Sequence, residues 1–179
     1  PPPGVTRPEL ARAMARDALF VAAAVLPPGS VLVVTSDEPM CKYAESLGMT
    51  TLTDPGGGLN AAISAGLALT QTPSLAVLLP DVPALKYGEL HRALQHSAAH
   101  PVAMVADHST TGTCLLTSTQ GTLTPQFGAG SARRHQGNLA AVPLGLHAPG
   151  LRQDVDTAED LNSALALGVG PATSALLRR

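Results

Sequence analysis

The chain has 179 residues, of which 45% are hydrophobic and 13% charged, and its formal net charge is −2. This length suits one compact domain, predicted to span residues 1–179, and the weak charge without a basic run argues against a nucleic-acid surface. The two distant cysteines and the lack of an apolar run long enough to span a membrane lead us to expect a soluble, reduced, cytoplasmic protein.

Helices and strands alternate through the first half of the chain. Thr6 and Glu9 form a capping-box pattern before an alanine-rich helix that should end near Val25. The runs "SVLVVTS" and "MTTLTD" are typical of buried strands, and a helix near residues 38–47 separates them. The loop "PGGG" precedes the helix "LNAAISAGLAL", and "SLAVLLPD" is a strongly apolar strand that ends in an aspartate.

The second half continues this alternation. A helix at "YGELHRALQHS" is followed by the strands "PVAMVAD" and "GTCLLTS", and a polar segment leads to a helix beginning at Ser131. The segment "QDVDT" precedes the helix "AEDLNSALALG", and a short helix follows Pro171. Such alternation indicates an α/β layer structure with a largely parallel sheet, whose ligands collect at the carboxyl ends of the strands.

Three aspartates stand out as candidate metal ligands. Asp81 follows the apolar run "LAVLLP", so it should lie at the carboxyl end of a strand, although aspartate also favours turns. Asp154 and Asp156 are two residues apart, and in a strand both would project to the same side of the sheet. Three carboxylates suit Mg²⁺ or Mn²⁺ better than zinc. The alternative for the pair is an acidic helix start, since Thr157 and Asp160 form a capping pattern.

Two other segments could hold anions. The glycines of "DPGGGLNAAI" would let backbone N–H groups approach a phosphate or a base edge, although such a loop can also be a simple connection. The segments "TTGTCLL" and "FGAGSARRH" place small hydroxyl and glycine residues at a strand start and a helix start. Ser131 could equally be only a helix cap, and it has no acid–base partner nearby in sequence that would make it a nucleophile.

Four segments in one order carry a family resemblance: "DPGGGLNAAI", "LLPDVPAL" with "VADHSTTGTCLL", "FGAGSARRH", and "GLRQDVDTAEDLNSALALGVGPAT". Over about residues 6–172 the chain resembles the 2-phospholactate guanylyltransferase family. This family includes the actinobacterial phosphoenolpyruvate guanylyltransferases of deazaflavin coenzyme F-420 biosynthesis.

The resemblance implies a Rossmann-like nucleotidyltransferase fold, with a mixed, mostly parallel sheet and helices on both faces. It implies a Mg²⁺-dependent reaction in which the phosphate of phosphoenolpyruvate, 2-phospholactate or 3-phosphoglycerate attacks the α-phosphorus of GTP and expels pyrophosphate. Because the high alanine and glycine content suggests a GC-rich genome, we favour phosphoenolpyruvate as the acceptor. A downstream transferase that takes the labile product is a further implied partner.

The resemblance also assigns roles to individual positions. It implies that the metal and the catalytic charge lie at Asp81, Asp154 and Asp156, the small acid at Thr113, Gly128 and Ser131, and the guanine nucleotide at Gly58, Leu59 and Asn60.

One departure from the family concerns the start of the chain. Family members open with a strand and a basic loop that meets the nucleotide phosphates, and nothing of this kind precedes "PPPGVTRPEL". We expect the given sequence to be incomplete at its start. The alternative is that the protein has lost part of its GTP site. For the function as a whole, the alternatives are a related enzyme with another acceptor, such as a molybdopterin guanylyltransferase, and a non-catalytic nucleotide-binding subunit.

Overall fold

The structure, a computed structural model, describes residues 1–178, which form eight helices and six strands. The helices are α1 (Arg7–Val25), α2 (Glu38–Ser46), α3 (Leu59–Ala68), α4 (Tyr87–Ser97), α5 (Ser131–Leu139), α6 (Pro149–Arg152), α7 (Ala158–Leu167) and α8 (Pro171–Leu177). The strands are β1 (Leu32–Val34), β2 (Thr50–Leu52), β3 (Leu75–Leu78), β4 (Val102–Ala106), β5 (Thr113–Ser118) and β6 (Val142–Pro143). None of these helices has the length and apolar character needed to cross a membrane.

The strands form two sheets. β1 and β2 pair in parallel, and the other four strands lie in the order β3-β5-β4-β6. β5 runs antiparallel to both of its neighbours, whereas β4 and β6 pair in parallel, so β3, β4 and β6 all point the same way. The carboxyl ends of β3 and β4 therefore lie at the same edge of the sheet as the amino end of β5.

Helices cover both faces of the four-stranded sheet, as predicted. Successive side chains of a strand point to opposite faces, and the core divides accordingly. Val105 and Leu115 pack with residues of α1, α4 and α6, while their neighbours Met104 and Leu116 pack with Phe127 and with side chains of α3 and α5. Since β5 lies between two strands and is covered on both sides, all six of its residues are buried, including the polar Thr113, Thr117 and Ser118.

Most predicted elements are present, and one expectation about local structure was wrong. The capping boxes at Thr6–Glu9 and Thr157–Asp160 both form, because each depends on contacts within a single helical turn. The segment "RQDVD", however, is not a strand: α6 ends at Arg152, and an irregular stretch leads from it to α7. The very short β6 and α6 have no clear sequence signal of their own.

A buried carboxylate joins the two ends of the chain. Asp17 of α1 accepts hydrogen bonds from the backbone N–H groups of Ala172 (2.8 Å) and Thr173 (2.9 Å), which lie in the first turn of α8. A Cβ atom on Gly170 would lie 2.4 Å from Cγ of Asp17, so only glycine permits this approach. Asp17 therefore caps a helix distant in sequence.

Replacing Asp17 with alanine should lower the free energy of unfolding by about 2 kcal/mol, because one buried and one part-buried N–H group lose a charged acceptor. Chemical denaturation of the variant checks this value. Glu159→Ala, which removes an exposed carboxylate from α7, is the matched control and should change stability little. Equal stability of the two variants would contradict the capping role.

Candidate active site

Polar residues gather at the sheet edge where β3 and β4 end and β5 begins. Asp81 follows β3, Asp107 follows β4 directly, and Thr113 is the first residue of β5. The antiparallel pairing of β5 with both neighbours brings these three positions to one edge. The same edge of the sheet therefore carries Asp81 and the predicted acid-binding residue Thr113.

The segment that carries Asp154 and Asp156 is attached to this edge by its backbone. The N–H of Val155, which lies between the two aspartates, donates to the carbonyl oxygen of Asp81 at 3.0 Å. The Arg152 guanidinium donates from Nε to the Ala106 carbonyl (3.1 Å) and from Nη2 to the Asp107 carbonyl (2.8 Å). The pair thus reaches the site through loop and helix contacts instead of the strand pairing expected from sequence.

A second anchor for this segment comes from α4. The buried Glu89 accepts from the backbone N–H groups of Gly150 (2.9 Å) and Leu151 (3.1 Å) at the start of α6. Its Oε2 also accepts at 3.2 Å from the N–H of Lys86, the residue that caps the start of α4. One side chain therefore fixes α6 relative to α4, and through α6 the acidic segment that follows.

The carboxylates at the sheet edge share a negative field. The pKa of Asp81 is raised to about 6, chiefly by burial and also by the negative charges of Asp154 and Asp156, against a backbone hydrogen bond that lowers it. Burial and the charge of Asp107 likewise raise the pKa of Asp154. Burial raises the pKa of the Cys114 thiol, and the charges of Asp154, Asp81 and Asp107 act in the same direction. This concentration of like charge favours a cation.

Two observations test whether the residues suit a divalent cation. Oδ1 of Asp81 is buried and has no hydrogen-bond partner among residues 1–178, and Mg²⁺ takes oxygen ligands of this kind. Over the same residues, no three side chains of His, Cys, Asp or Glu are grouped closely enough to hold a metal ion. The donor chemistry thus fits Mg²⁺, and binding it would require the carboxylates to converge.

His108 lies beside two of the acidic side chains. Its Nδ1 is 3.6 Å from Oδ1 of Asp154, and its Nε2 is 3.9 Å from Oδ1 of Asp160. The His108 backbone N–H donates to the Arg152 carbonyl at 2.7 Å, which fixes its position. His108, which the sequence reasoning did not identify, is therefore a neighbour of the predicted metal ligand Asp154.

Asp107 is a further residue that the sequence reasoning missed. Its two carboxylate oxygens accept from the N–H groups of Thr111 (2.9 Å) and Gly112 (2.8 Å). A Cβ atom at Gly112 would lie 2.6 Å from Oδ2 of Asp107, so any other residue there would displace this carboxylate. Asp107 follows its strand much as Asp81 follows β3, and the same strand-end rule could have found it.

The predicted acid-binding residues Thr113 and Ser131 are in direct contact. Oγ of Ser131 donates to Oγ1 of Thr113 at 3.2 Å, and Oγ1 of Thr113 lies 3.0 Å from Nδ1 of His135. The relative exposures of Thr113, Ser131 and His135 are 3%, 1% and 0%. Ser131 and His135 are four residues apart on α5 and so share a helix face, a spacing by which His135 could have been found.

The third predicted acid-binding residue, Gly128, belongs to a tightly held loop before α5. Gly128 has φ +109° and Gly130 has φ +72°, so both adopt the left-handed backbone that favours glycine. The Gly128 carbonyl accepts from the Ser131 N–H at 2.9 Å. Arg134 donates to the carbonyls of Gln126 and Ala129, which closes the loop against α5. Gly128 and Ser131 are therefore held together.

The predicted nucleotide-binding loop begins α3. Gly56, Gly57 and Gly58 have φ values of +79°, +83° and +89°, a succession of left-handed residues that only glycine adopts without strain. Leu59 is 47% exposed at the first position of the helix. The exposed glycine backbone leaves room for a ligand to approach.

The side-chain amide of Asn60, an exposed residue, is paired with the backbone of the loop before α5. Its Oδ1 accepts from the Phe127 N–H at 2.8 Å, and its Nδ2 donates to the Phe127 carbonyl at 3.1 Å. The amide therefore joins the start of α3 to the loop that contains Gly128. The structure thus connects the predicted nucleotide loop with the predicted acid-binding loop through one residue.

Comparison with known proteins identifies the family of this chain. A family model described as "Guanylyl transferase CofC like" matches residues 4–179. Proteins named phosphoenolpyruvate guanylyltransferase are similar over most of their length. The one from Streptomyces scabiei is 45% identical over 185 residues, covering 97% of this chain and 85% of the relative. The one from Geodermatophilus obscurus is 48% identical over 160 residues, covering 88% and 74%. The chain therefore belongs to the CofC-like guanylyl transferase family.

Proposed function

We propose that the protein transfers GMP from GTP to the phosphate of phosphoenolpyruvate, with release of pyrophosphate, in the biosynthesis of coenzyme F-420. The observation that carries this proposal is one sheet edge to which the strand pairing brings Asp81 and Thr113. The segment of Asp154 is joined there to the Asp81 carbonyl, and Ser131 is hydrogen-bonded to Thr113. The family to which the chain belongs supports guanylyl transfer, and the names of its relatives support phosphoenolpyruvate as the acceptor.

The bond changes of this reaction ask little covalent chemistry of the protein. An oxygen of the acceptor phosphate forms a bond to the α-phosphorus of GTP, and the bond between the α-phosphorus and the pyrophosphate leaving group breaks. Because a phosphate monoester is already largely ionised near pH 7, no general base is needed. The chain contributes by positioning the two substrates and by balancing charge.

We assign divalent-cation binding to Asp81, Asp154 and Asp156, whose carboxylates fit Mg²⁺ or Mn²⁺ by chemistry. When bound, such an ion would neutralise charge on the α-phosphate and on pyrophosphate. The buried, unpartnered Oδ1 of Asp81 supports this assignment. His108, beside Asp154, would contribute by holding that carboxylate in place while the cation is absent.

The acid would bind at Thr113, Gly128 and Ser131, and the nucleotide at the loop formed by Gly58, Leu59 and Asn60. Buried hydroxyls together with the narrow glycine loop suit a small acid better than a bulky pterin. Free thiols at Cys41 and Cys114 are compatible with the reducing cytoplasm, where we place the reaction.

The test is a pyrophosphate-release assay with GTP and a panel of acceptors, namely phosphoenolpyruvate, 2-phospholactate and 3-phosphoglycerate, with and without Mg²⁺. The guanylylated product is identified by mass. We expect turnover that requires the cation and is fastest with phosphoenolpyruvate. GTP binding without turnover on any acceptor would instead favour a non-catalytic nucleotide-binding subunit.

Replacing Asn60 with aspartate separates two roles of this residue. The aspartate keeps an acceptor for the Phe127 N–H but sets a carboxylate oxygen against the Phe127 carbonyl. We expect a loss of about 1–3 kcal/mol in stability and a higher KM for the acid as well as for GTP. Steady-state kinetics and thermal melting measure both, with Ser64→Ala, on an exposed part of α3, as the control. A rise confined to the KM for GTP would show that the amide reads guanine directly.

A further inference from the structure

The hydroxyl pair of the acid-binding site is completed by a buried histidine. His135 lies on α5, has no solvent exposure, and contacts Thr113 through Nδ1 and the loop through Nε2. Phe127 packs edge-on against its ring, with the two ring centroids 4.9 Å apart. The imidazole is therefore fixed in orientation by contacts on three sides.

The backbone determines which ring nitrogen of His135 carries the proton. The N–H of Gln126 donates to Nε2 at 3.2 Å, and a nitrogen that accepts a hydrogen bond carries no proton. In the neutral ring the proton is then on Nδ1, so Nδ1 donates to Oγ1 of Thr113. A protonated ring would set an Nε2–H against the Gln126 N–H. Burial, with a smaller effect from the charge of Arg134, lowers the pKa of His135 to about 4, which keeps the ring neutral.

With this tautomer, one polar hydrogen of the site has no acceptor among Thr113, Ser131 and His135. Thr113, Ser131 and the Nδ1–H of His135 together carry three polar hydrogens, but only two hydrogen bonds join the three groups. Since Ser131 and His135 both donate to Oγ1 of Thr113, the hydrogen left over is that of the Thr113 hydroxyl. With the other tautomer there would be two hydrogens for two bonds, and none would remain.

We infer that His135 is a positioning residue, whose Nδ1–H forces the Thr113 hydroxyl to act as a donor toward the bound acid. This inference rests on the proposed function, because it takes the occupant to be a small phosphorylated carboxylic acid. A hydroxyl that must donate recognises an acceptor oxygen, such as one of a carboxylate. It discriminates against a group that presents a hydrogen, such as an amide N–H or an alcohol acting as donor.

Two substitutions at His135 separate the donor role from simple packing. In His135→Asn, the side-chain NH₂ can take the place of Nδ1–H and still donate to Thr113. In His135→Gln, the amide can reach the Gln126 N–H but leaves Thr113 without this donor. We expect the KM for phosphoenolpyruvate to rise about tenfold or more in the glutamine variant and only about twofold to threefold in the asparagine variant. The KM for GTP should stay near the wild-type value in both.

The control is Gln136→Ala, which changes an exposed neighbour on the same helix and should leave both KM values unchanged. Thermal melting of every variant establishes that it is folded. Equal KM values for phosphoenolpyruvate in the two His135 variants would overturn the inference, because loss of packing alone would affect both.

Nitrogen NMR of the wild-type imidazole tests the tautomer without activity or mutation. We expect a protonated Nδ1 and an unprotonated Nε2 at neutral pH, and the reverse assignment would overturn the inference. A wild-type protein that shows this tautomer but no guanylyl transfer would refute the proposed function while leaving the hydrogen count intact. Wild-type activity together with the reverse tautomer would overturn the inference about His135 while supporting the proposed function.

Discussion

Replacing Asp81 with asparagine should reduce guanylyl transfer by at least about a hundredfold while stabilising the metal-free protein at neutral pH. The loss of activity is expected because the amide removes a negative charge from the proposed cation site. The gain in stability follows from burial, which with the charges of Asp154 and Asp156 raises the pKa of Asp81 to about 6. Asparagine has the same shape and no charge to bury.

This shift makes the folded wild type less stable as the pH rises. Because the folded-state pKa of Asp81 lies above its ordinary value of 3.8, folding favours the protonated form. Its contribution to stability is complete below about pH 4 and is lost as the pH rises through about 6. The loss amounts to about 3 kcal/mol, from about two pKa units at about 1.4 kcal/mol each. Denaturation of wild type and Asp81→Asn between pH 3 and 8, in a chelator, should show curves that separate progressively between about pH 4 and 6 and then stay a constant distance apart.

Addition of Mg²⁺ should reverse this order. A cation that binds the ionised carboxylates stabilises the wild type and should do so much less for Asp81→Asn. Glu159→Gln, which neutralises an exposed carboxylate near the same segment, should behave like the wild type in activity and in its response to Mg²⁺. Full activity in Asp81→Asn would refute the proposed role of Asp81.

The second large effect is expected at Gly150, where substitution by alanine should destabilise the fold by about 3 kcal/mol. A Cβ atom there would lie 2.2 Å from the carbonyl oxygen of Ala84 and 2.6 Å from Oε2 of Glu89. Backbone and a buried carboxylate must then move, and overpacking of this kind costs about 1–3 kcal/mol or more. For a chain of this size the melting temperature should fall by about 10 °C.

Activity should fall together with stability in Gly150→Ala. Glu89 holds the start of α6, and α6 leads after Arg152 directly to Asp154. A displaced α6 therefore moves the acidic segment away from Asp81. Residual activity measured well below the melting temperature separates this displacement from global unfolding.

Gly137→Ala is the matched control for this experiment. Gly137 also lies in a helix, α5, but a Cβ atom there meets nothing within 4 Å. Alanine has the higher helix propensity, so this variant should be stabilised by about 0.5–1 kcal/mol. Opposite signs for the two variants would show that the contact at Gly150, and not a general property of glycine in helices, is responsible. A stabilised Gly150→Ala would contradict the packing argument.

The order of the helices and strands could be read from the sequence because local rules decide it. The apolar run before Asp81 predicted a strand and its end, and the pairs Thr6–Glu9 and Thr157–Asp160 predicted helix starts. In each case the residues that make the structure lie within a few positions of one another. The family resemblance then assigned roles to Asp81, Thr113 and Ser131, and the structure places these three at one edge of the sheet.

The contacts that hold the site together could not be read in this way. Asn60 pairs with Phe127 across 67 residues, and Glu89 accepts from Gly150 across 61. Asp107 and His135 were missed, although both follow simple spacing rules, since the sequence does not say what an aspartate or a histidine will face.

The sequence by itself thus determined most of the helices and strands and where the first candidate aspartate lies. Only the tertiary structure decided that the Asp154 segment reaches Asp81 through the Val155 backbone, that Asn60 joins two loops, and that His135 contacts both Thr113 and Gln126. The physical reason is that hydrogen-bond partners distant in sequence depend on how the layers pack. Caps and strand ends, by contrast, depend on neighbours within a single turn.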